Sequence, residues 1–286
     1  MPAVGVFALR RSGFGVTRMV PLLLLTLALS APADPGYVFA RSLADAGPRP
    51  AAGTAERHTH LRIAKVFKRA GLAVSYERFG VPGKGRSRDV IGVLDTSASC
   101  LRIVMAHADS MPQTPGAVDS ASGVGMLVDL APRLAKIRPS CDVWLVATGS
   151  EERGYTGRPN HLGAGALLHP VRTEGRTRDL RIALALDEVG RGDDFELRSN
   201  AAGVRGSVEG AVLRASRGTG AHVRWVRDDG TGNSDHRELQ LAGLPAAKLG
   251  QPGNPCRHQP CDTASKLQQR TFVIVRRTVE RLLRAS

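Results

Sequence analysis

Residues 101–125, LRIVMAHADSMPQTPGAVDSASGVG, constrain this chain more than any other stretch. A short apolar run over 101–106 predicts a buried strand, and it ends directly in His107 and Asp109. Asp119 then opens a second periodic stretch, Val124, Leu127, Val128, Ala131 and Leu134, which predicts a helix with Pro132 as a kink. A histidine and two carboxylates at the C-terminal lip of a central strand stand where open α/β sheets build their active sites.

The remaining segments alternate. A helix is expected over 54–69, ended by Gly71, then strands over 72–78 and 89–94 that flank the VPGKGRSR turn as an edge hairpin. Further strands are expected at 143–148, 180–186 and 221–226, with helices at 162–168, 208–215 and 264–283 and a short strand after GLP at 243–245. This order predicts an α/β three-layer sandwich with a central, mostly parallel mixed sheet. Residues 34–52, rich in alanine, glycine and proline, read as a linker or a poorly ordered start, so the single domain is expected over 53–286.

Residues 1–33 have the layout of a signal peptide: Arg10, Arg11 and Arg18, the apolar VPLLLLTLAL at 20–29, then small residues at 30–33. The apolar segment is too short for a comfortable membrane span. Secretion or a periplasmic location is the expectation, and four cysteines fit it. Cys256 and Cys261 are close enough to close a small loop. Cys100 and Cys141 each precede a strand, and they can bridge if those strands are parallel neighbours. The net charge of +14 comes with no run of five or six basic residues and no interleaved aromatics. It reads as a basic solvated surface, with no specific nucleic-acid partner.

The strand ends share a chemistry. His107 and Asp109 follow one strand, Glu151 and Glu152 the next, and Asp187 closes a third. Asp119 stands before a helix, and His258 sits between Cys256 and Cys261. Taken singly, each has a plain alternative as a helix cap, a surface histidine or a solvated carboxylate. Together they are hard to bury without a divalent metal, and imidazole with carboxylate suits zinc. The contiguous Ser234, Asp235 and His236 cannot form a serine-hydrolase triad, because neighbouring residues do not line up as nucleophile, base and orienter.

From about residue 55 to the end, the order and spacing of these motifs resemble the secreted M28 zinc aminopeptidases of the aminopeptidase Y and bacterial leucyl aminopeptidase type. AHADS at 106–110 resembles the family's H-x-D-S, and GAVDSASG at 116–123 its G-A-x-D-N-A-S-G. SEERG at 150–154 resembles its E-E-x-G, LDEVG at 186–190 its strand-end Asp and Gly, and CRHQPCDT at 256–263 its cysteine-framed H-x-x-x-D-T. The resemblance implies two zinc ions per chain: His107 and Asp187 on one, Glu152 and His258 on the other, Asp119 bridging. It implies Asp109 as hydrogen-bond partner of the second nitrogen of His107, Glu151 as general base, and peptides with a free N-terminus as substrates.

Two positions depart from the pattern. Ser120 stands where the family commonly has Asn, and Arg257 where cysteine-framed members often carry a tyrosine as oxyanion donor. Arg257 can take that role, turn to a substrate carboxylate, or leave it to Tyr155. His236 reads equally as a substrate or metal-shell contact and as a structural histidine. Three rival readings follow. One is a glutaminyl cyclase with a single zinc, closer in its GAVDS. Another is a carboxypeptidase, which normally carries an additional domain. The third is a catalytically inactive envelope-binding protein on the same fold.

Overall fold

The computed structural model describes residues 1–5, 8, 33–228 and 233–285. Its strands are β1 (Ala73–Val81), β2 (Gly85–Leu94), β3 (Leu101–His107), β4 (Asp142–Thr148), β5 (Leu180–Leu186), β6 (Asp194–Ser199), β7 (His222–Arg227) and β8 (Ala246–Gly250). They lie side by side as β1-β2-β4-β3-β5-β8-β6-β7. The central β4, β3, β5 and β8 are mutually parallel, whereas β1 with β2, β2 with β4 and β6 with β8 are antiparallel.

Side-chain alternation along the strands makes the layers. Leu101, Ile103 and Met105 of β3 join Trp144 and Val146 of β4 and Ala183 and Ala185 of β5 on one face. The helices Leu162–Thr173 and His236–Leu241 cover that face with Leu167, Val171 and Leu239. Val104, Leu145, Leu184 and Leu186 point the other way. They share one apolar core with α1 (Pro35–Asp45), α2 (Thr54–Arg69), α3 (Ser122–Leu130) and the helices Glu209–Ser216 and Gln269–Arg284. With both faces covered, the central strands tolerate apolar residues at nearly every position. The three-layer sandwich and its mixed, mostly parallel sheet match expectation. So does the Cys100–Cys141 disulfide, since parallel β3 and β4 place Leu101 opposite Asp142 and the preceding cysteines 4.9 Å apart at Cα. Cys256 and Cys261 are also bridged.

The segment 34–52 is a correction. It is neither a linker nor poorly ordered, and residues Ala33–Ser286 cluster as one compact unit. Asp34 caps α1 by accepting from the amides of Gly36 and Tyr37, and Pro35 fits the first turn, where no N–H partner is needed. The alanine and glycine content that reads as linker permits close helix packing: a Cβ on Gly36 would meet the Gly125 carbonyl of α3 at 2.7 Å. Downstream, Arg49 is 2% exposed and donates to the carbonyls of Ala108, Pro115 and Gly116. It thereby holds the loop between His107 and Asp119.

Smaller departures are local. The expected helix after Asp119 breaks at Pro132 into α3, a 3₁₀ turn at Ala131–Arg133 and a last turn at Leu134–Ile137. The strand β6 and the helix His236–Leu241 carry no clear periodic signal, because charged residues dilute both patterns. The last helix begins at Gln269, after a 3₁₀ turn. The expected signal peptide lies almost wholly outside the described residues. Among the described residues, no helix is long and apolar enough to cross a membrane.

Arg49→Met keeps most of the volume and removes the donors, leaving three carbonyls unsatisfied. Urea unfolding should show a loss of about 2–4 kcal/mol relative to wild type.

Candidate metal centre and active site

Because β3 lies between β4 and β5 and all three run the same way, their carboxyl ends open on one cleft, with His107 in register with Thr148. The His107 ring reaches Asp109 and two other acids. Its Nδ1 is 3.1 Å from the Asp109 carbonyl, an acceptor only, so Nδ1 carries a proton and Nε2 faces the other acids. That Nε2 lies 3.1 Å from Asp119 Oδ1 and 3.7 Å from Asp187 Oδ1. On the other side of Asp119, His258 Nε2 lies 3.3 Å from Asp119 Oδ2 and 3.0 Å from Glu152 Oε2.

Each of these acids is placed by its local chain. Asp119 is fixed through its backbone: Val118 and Asp119 donate their amides to Asp262, the residue after the Cys256–Cys261 bridge. The peptide after Asp119 is cis. Asp187 ends β5, where the buried Lys248 ammonium of β8 is 2.8 Å from its Oδ2. Burial would push the Asp187 carboxyl up, but Lys248 and His107 outweigh it and hold Asp187 well below the usual range. Among the described residues no lysine or arginine forms an ion pair with Glu151, and burial raises its carboxyl well above the usual range against the opposing charge of His107.

Asp109 faces both His107 and the turn that carries the paired glutamates. Its carboxylate lies 3.6 Å from His107 Nδ1, and the Asp109 carbonyl is the nearer acceptor at 3.1 Å. The carboxylate accepts the amides of Glu151 at 3.0 Å and Glu152 at 3.1 Å. It thus clamps the turn on which the paired glutamates stand.

Two ligand groups emerge, His107 with Asp119 and Asp187, and Asp119 with Glu152 and His258, and they share Asp119. A third grouping, His107 with Glu151 and Glu152, overlaps both. The residues fit a metal pair: Asp187 Oδ1, Glu152 Oε1 and His258 Nε2 are buried without a hydrogen-bond partner, and nitrogen with carboxylate oxygen is a zinc donor set.

The remaining sequence candidates divide. Arg257 is at the centre, with Nε 3.3 Å from Asp119 Oδ2 and the side chain one-third exposed. Tyr155 lies under Lys84 of the β1–β2 turn, whose Nζ is 3.7 Å from the ring centroid. His236 belongs to neither ligand group sharing Asp119; it is fully buried, with Nε2 2.7 Å from Asp228 Oδ2, as a structural histidine would be. Sequence reasoning missed Lys248, hidden in the strand AAKLG, and His161, whose polar loop carries no strand-end signal. A lone lysine in an otherwise buried strand was the one available clue.

A covered, mixed sheet with histidine and carboxylate donors at its parallel strand ends defines a metallopeptidase class of α/β fold. The chain belongs to peptidase family M28, which it matches over residues 89–283, and its donor set is that of a zinc-binding metallopeptidase. It is 31% identical over 136 residues to the uncharacterized protein YfbL of Escherichia coli strain K12, an alignment covering 45% of this chain and 40% of that protein. The chain therefore aligns with about two-fifths of that relative's length. Among solved structures, a zinc aminopeptidase from Bacillus subtilis superposes with a TM-score of 0.75 at 16% identity, covering 87% of this chain and 93% of that one. A glutaminyl cyclase from Bacteroides thetaiotaomicron gives 0.76 at 20%, covering 89% and 98%. At these identities the likeness is one of fold.

Zinc added to the metal-free protein should raise its melting temperature, since it binds only the folded state. Asp119→Ala, which cuts both ligand groups, should abolish most of that rise and lower bound zinc measured by mass spectrometry. A full rise in the variant would refute the shared-ligand arrangement.

Proposed function

We propose that this protein is a secreted, zinc-dependent aminopeptidase of the aminopeptidase Y and bacterial leucyl aminopeptidase type, removing N-terminal residues from peptides. The observation that carries the reading is Asp119, common to two ligand groups, beside a Glu151 that makes no ion pair with a lysine or arginine among the described residues. His107, Asp119 and Asp187 would hold one zinc ion, and Asp119, Glu152 and His258 the other. When bound, the pair supplies Lewis acidity toward the scissile carbonyl and lowers the pKa of water.

The chain's own groups do the rest. Glu151 takes the proton of the attacking water and delivers it to the leaving amine, a task suited to a carboxyl whose proton affinity burial has raised. Asp109 keeps the two glutamates from exchanging roles by fixing both amides. Arg257 engages Asp119 through Nε, and the other N–H groups of its guanidinium face the developing oxyanion in this reading. A free substrate α-ammonium is matched by the carboxylate-rich floor, which favours the N-terminal end of a peptide. Residues 1–33 are assigned as the signal peptide, and the two disulfides suit an oxidising compartment.

Glutaminyl cyclase is the second reading. Ser120 favours it, and a cyclase is among the structural neighbours. Zinc per chain should be counted while leucine, lysine and alanine p-nitroanilides are assayed beside an N-terminal glutamine peptide. Paired zinc with nitroaniline release, reduced at least about 100-fold in Glu151→Ala, is the expected result. One zinc with pyroglutamate formation would hand the protein to the cyclases. Zinc binding without turnover of any free-amine substrate would leave a binding protein.

A further inference from the structure

Glu151 has a neighbour that neither the motifs nor the metal explain. His161, 1% exposed, stands at the start of the helix Leu162–Thr173 with its Nε2 3.4 Å from Glu151 Oε1. Its opposite nitrogen is committed: Nδ1 lies 3.0 Å from Glu238 Oε1, which also accepts the His161 backbone amide at 3.1 Å. Arg237 Nη1 lies 2.7 Å from the same oxygen. Burial raises the Glu238 carboxyl, but the hydrogen bonds from His161 and Arg237 outweigh it, so Glu238 is an ionised acceptor. The Nδ1 atom must then be the donor, and Nε2 keeps its lone pair.

We propose that His161, clamped by Glu238, is a positioning residue for Glu151: it holds the Oε1 side of the carboxyl and leaves Oε2 to meet the reacting water. The inference rests on the reading of Glu151 as general base. A ring protonated at Nδ1 turns a lone pair toward Oε1. The gap to Oε1 holds no hydrogen bond while Glu151 is ionised, so the proton drawn from water is taken at Oε2, the oxygen that meets the water, and leaves from there with the amine. Carboxylate, imidazole and reacting group thus stand in line, with a carboxyl in the place a hydroxyl takes in hydrolases that use a nucleophile. Burial also keeps the ring neutral, since it lowers the imidazole below its usual range.

Two measurements test this. In metal-free protein with ¹⁵N-labelled histidine, NMR should find His161 protonated at Nδ1 and bare at Nε2, and Glu238→Gln should weaken that preference. A ring protonated at Nε2 overturns the proposal whatever the enzyme's activity. In the zinc-loaded enzyme, His161→Ala should lower kcat roughly 10- to 100-fold, with KM and bound zinc unchanged and partial recovery on adding imidazole. An unchanged kcat, or a fall that follows lost zinc or lost folding and does not respond to imidazole, overturns it. If His161→Ala does not fold, Glu238→Gln carries the kinetic test, with a smaller kcat loss expected and an unchanged kcat refuting. A wild-type enzyme inactive on every free-amine substrate would defeat the aminopeptidase reading instead, and the NMR result would still decide the clamp.

Discussion

Negative charge buried at the carboxyl ends of parallel strands sets the terms for the rest of the molecule. Asp109, Asp119, Glu151, Glu152 and Asp187 are all at most 4% exposed. An ionised carboxylate in such surroundings is expensive unless it is paired or hydrogen-bonded. The surrounding fold is arranged accordingly. Lys248 is carried inside β8 to face Asp187, Arg257 reaches Asp119 from the disulfide loop, and two backbone amides are spent on Asp109. Oxygens of Glu152 and Asp187 remain without a partner, and those remainders are where a divalent cation belongs.

The loops that hold these groups are themselves held by distant chain. Asp262 fixes the backbone at Asp119, and the Cys256–Cys261 bridge confines the turn that carries both His258 and Asp262's neighbour. Arg49 fastens the stretch between His107 and Asp119 from the other side. Arg276 of the final helix joins Asp34 to Asp129, tying α1 and α3 to the C-terminal end of the chain. Segments far apart in sequence therefore meet behind one catalytic edge, which is why the ligands come from five separate places along the chain.

What could be read in advance followed from periodicity and from residue type at strand ends. The buried strands β3, β4 and β5 announce themselves by apolar runs, and each ends at or within a few residues of an acid or histidine of the site. The two disulfides followed from spacing and from the parallel register. Hidden from the sequence were features that depend on distant partners. The composition of 34–52 resembles a linker because close helix contact and flexible linkers both favour small residues. The clamp that Asp109 puts on Glu151 and Glu152 is hidden because it engages backbone amides, which no side-chain pattern displays. Lys248 and His161 have meaning only against the carboxylates they face.

The clamp made by Asp109 has a consequence for how this site changes over generations. Glu151 and Glu152 are chemically identical neighbours, and one carboxylate 42 positions upstream of the first gives them separate orientations. Drift at Asp109 would disturb the metal ligand and the base together, although neither glutamate had changed. A lineage abandoning catalysis could thus leave every ligand in place and still lose the reaction, so an intact ligand roster among its descendants is a poor record of which ones remain enzymes.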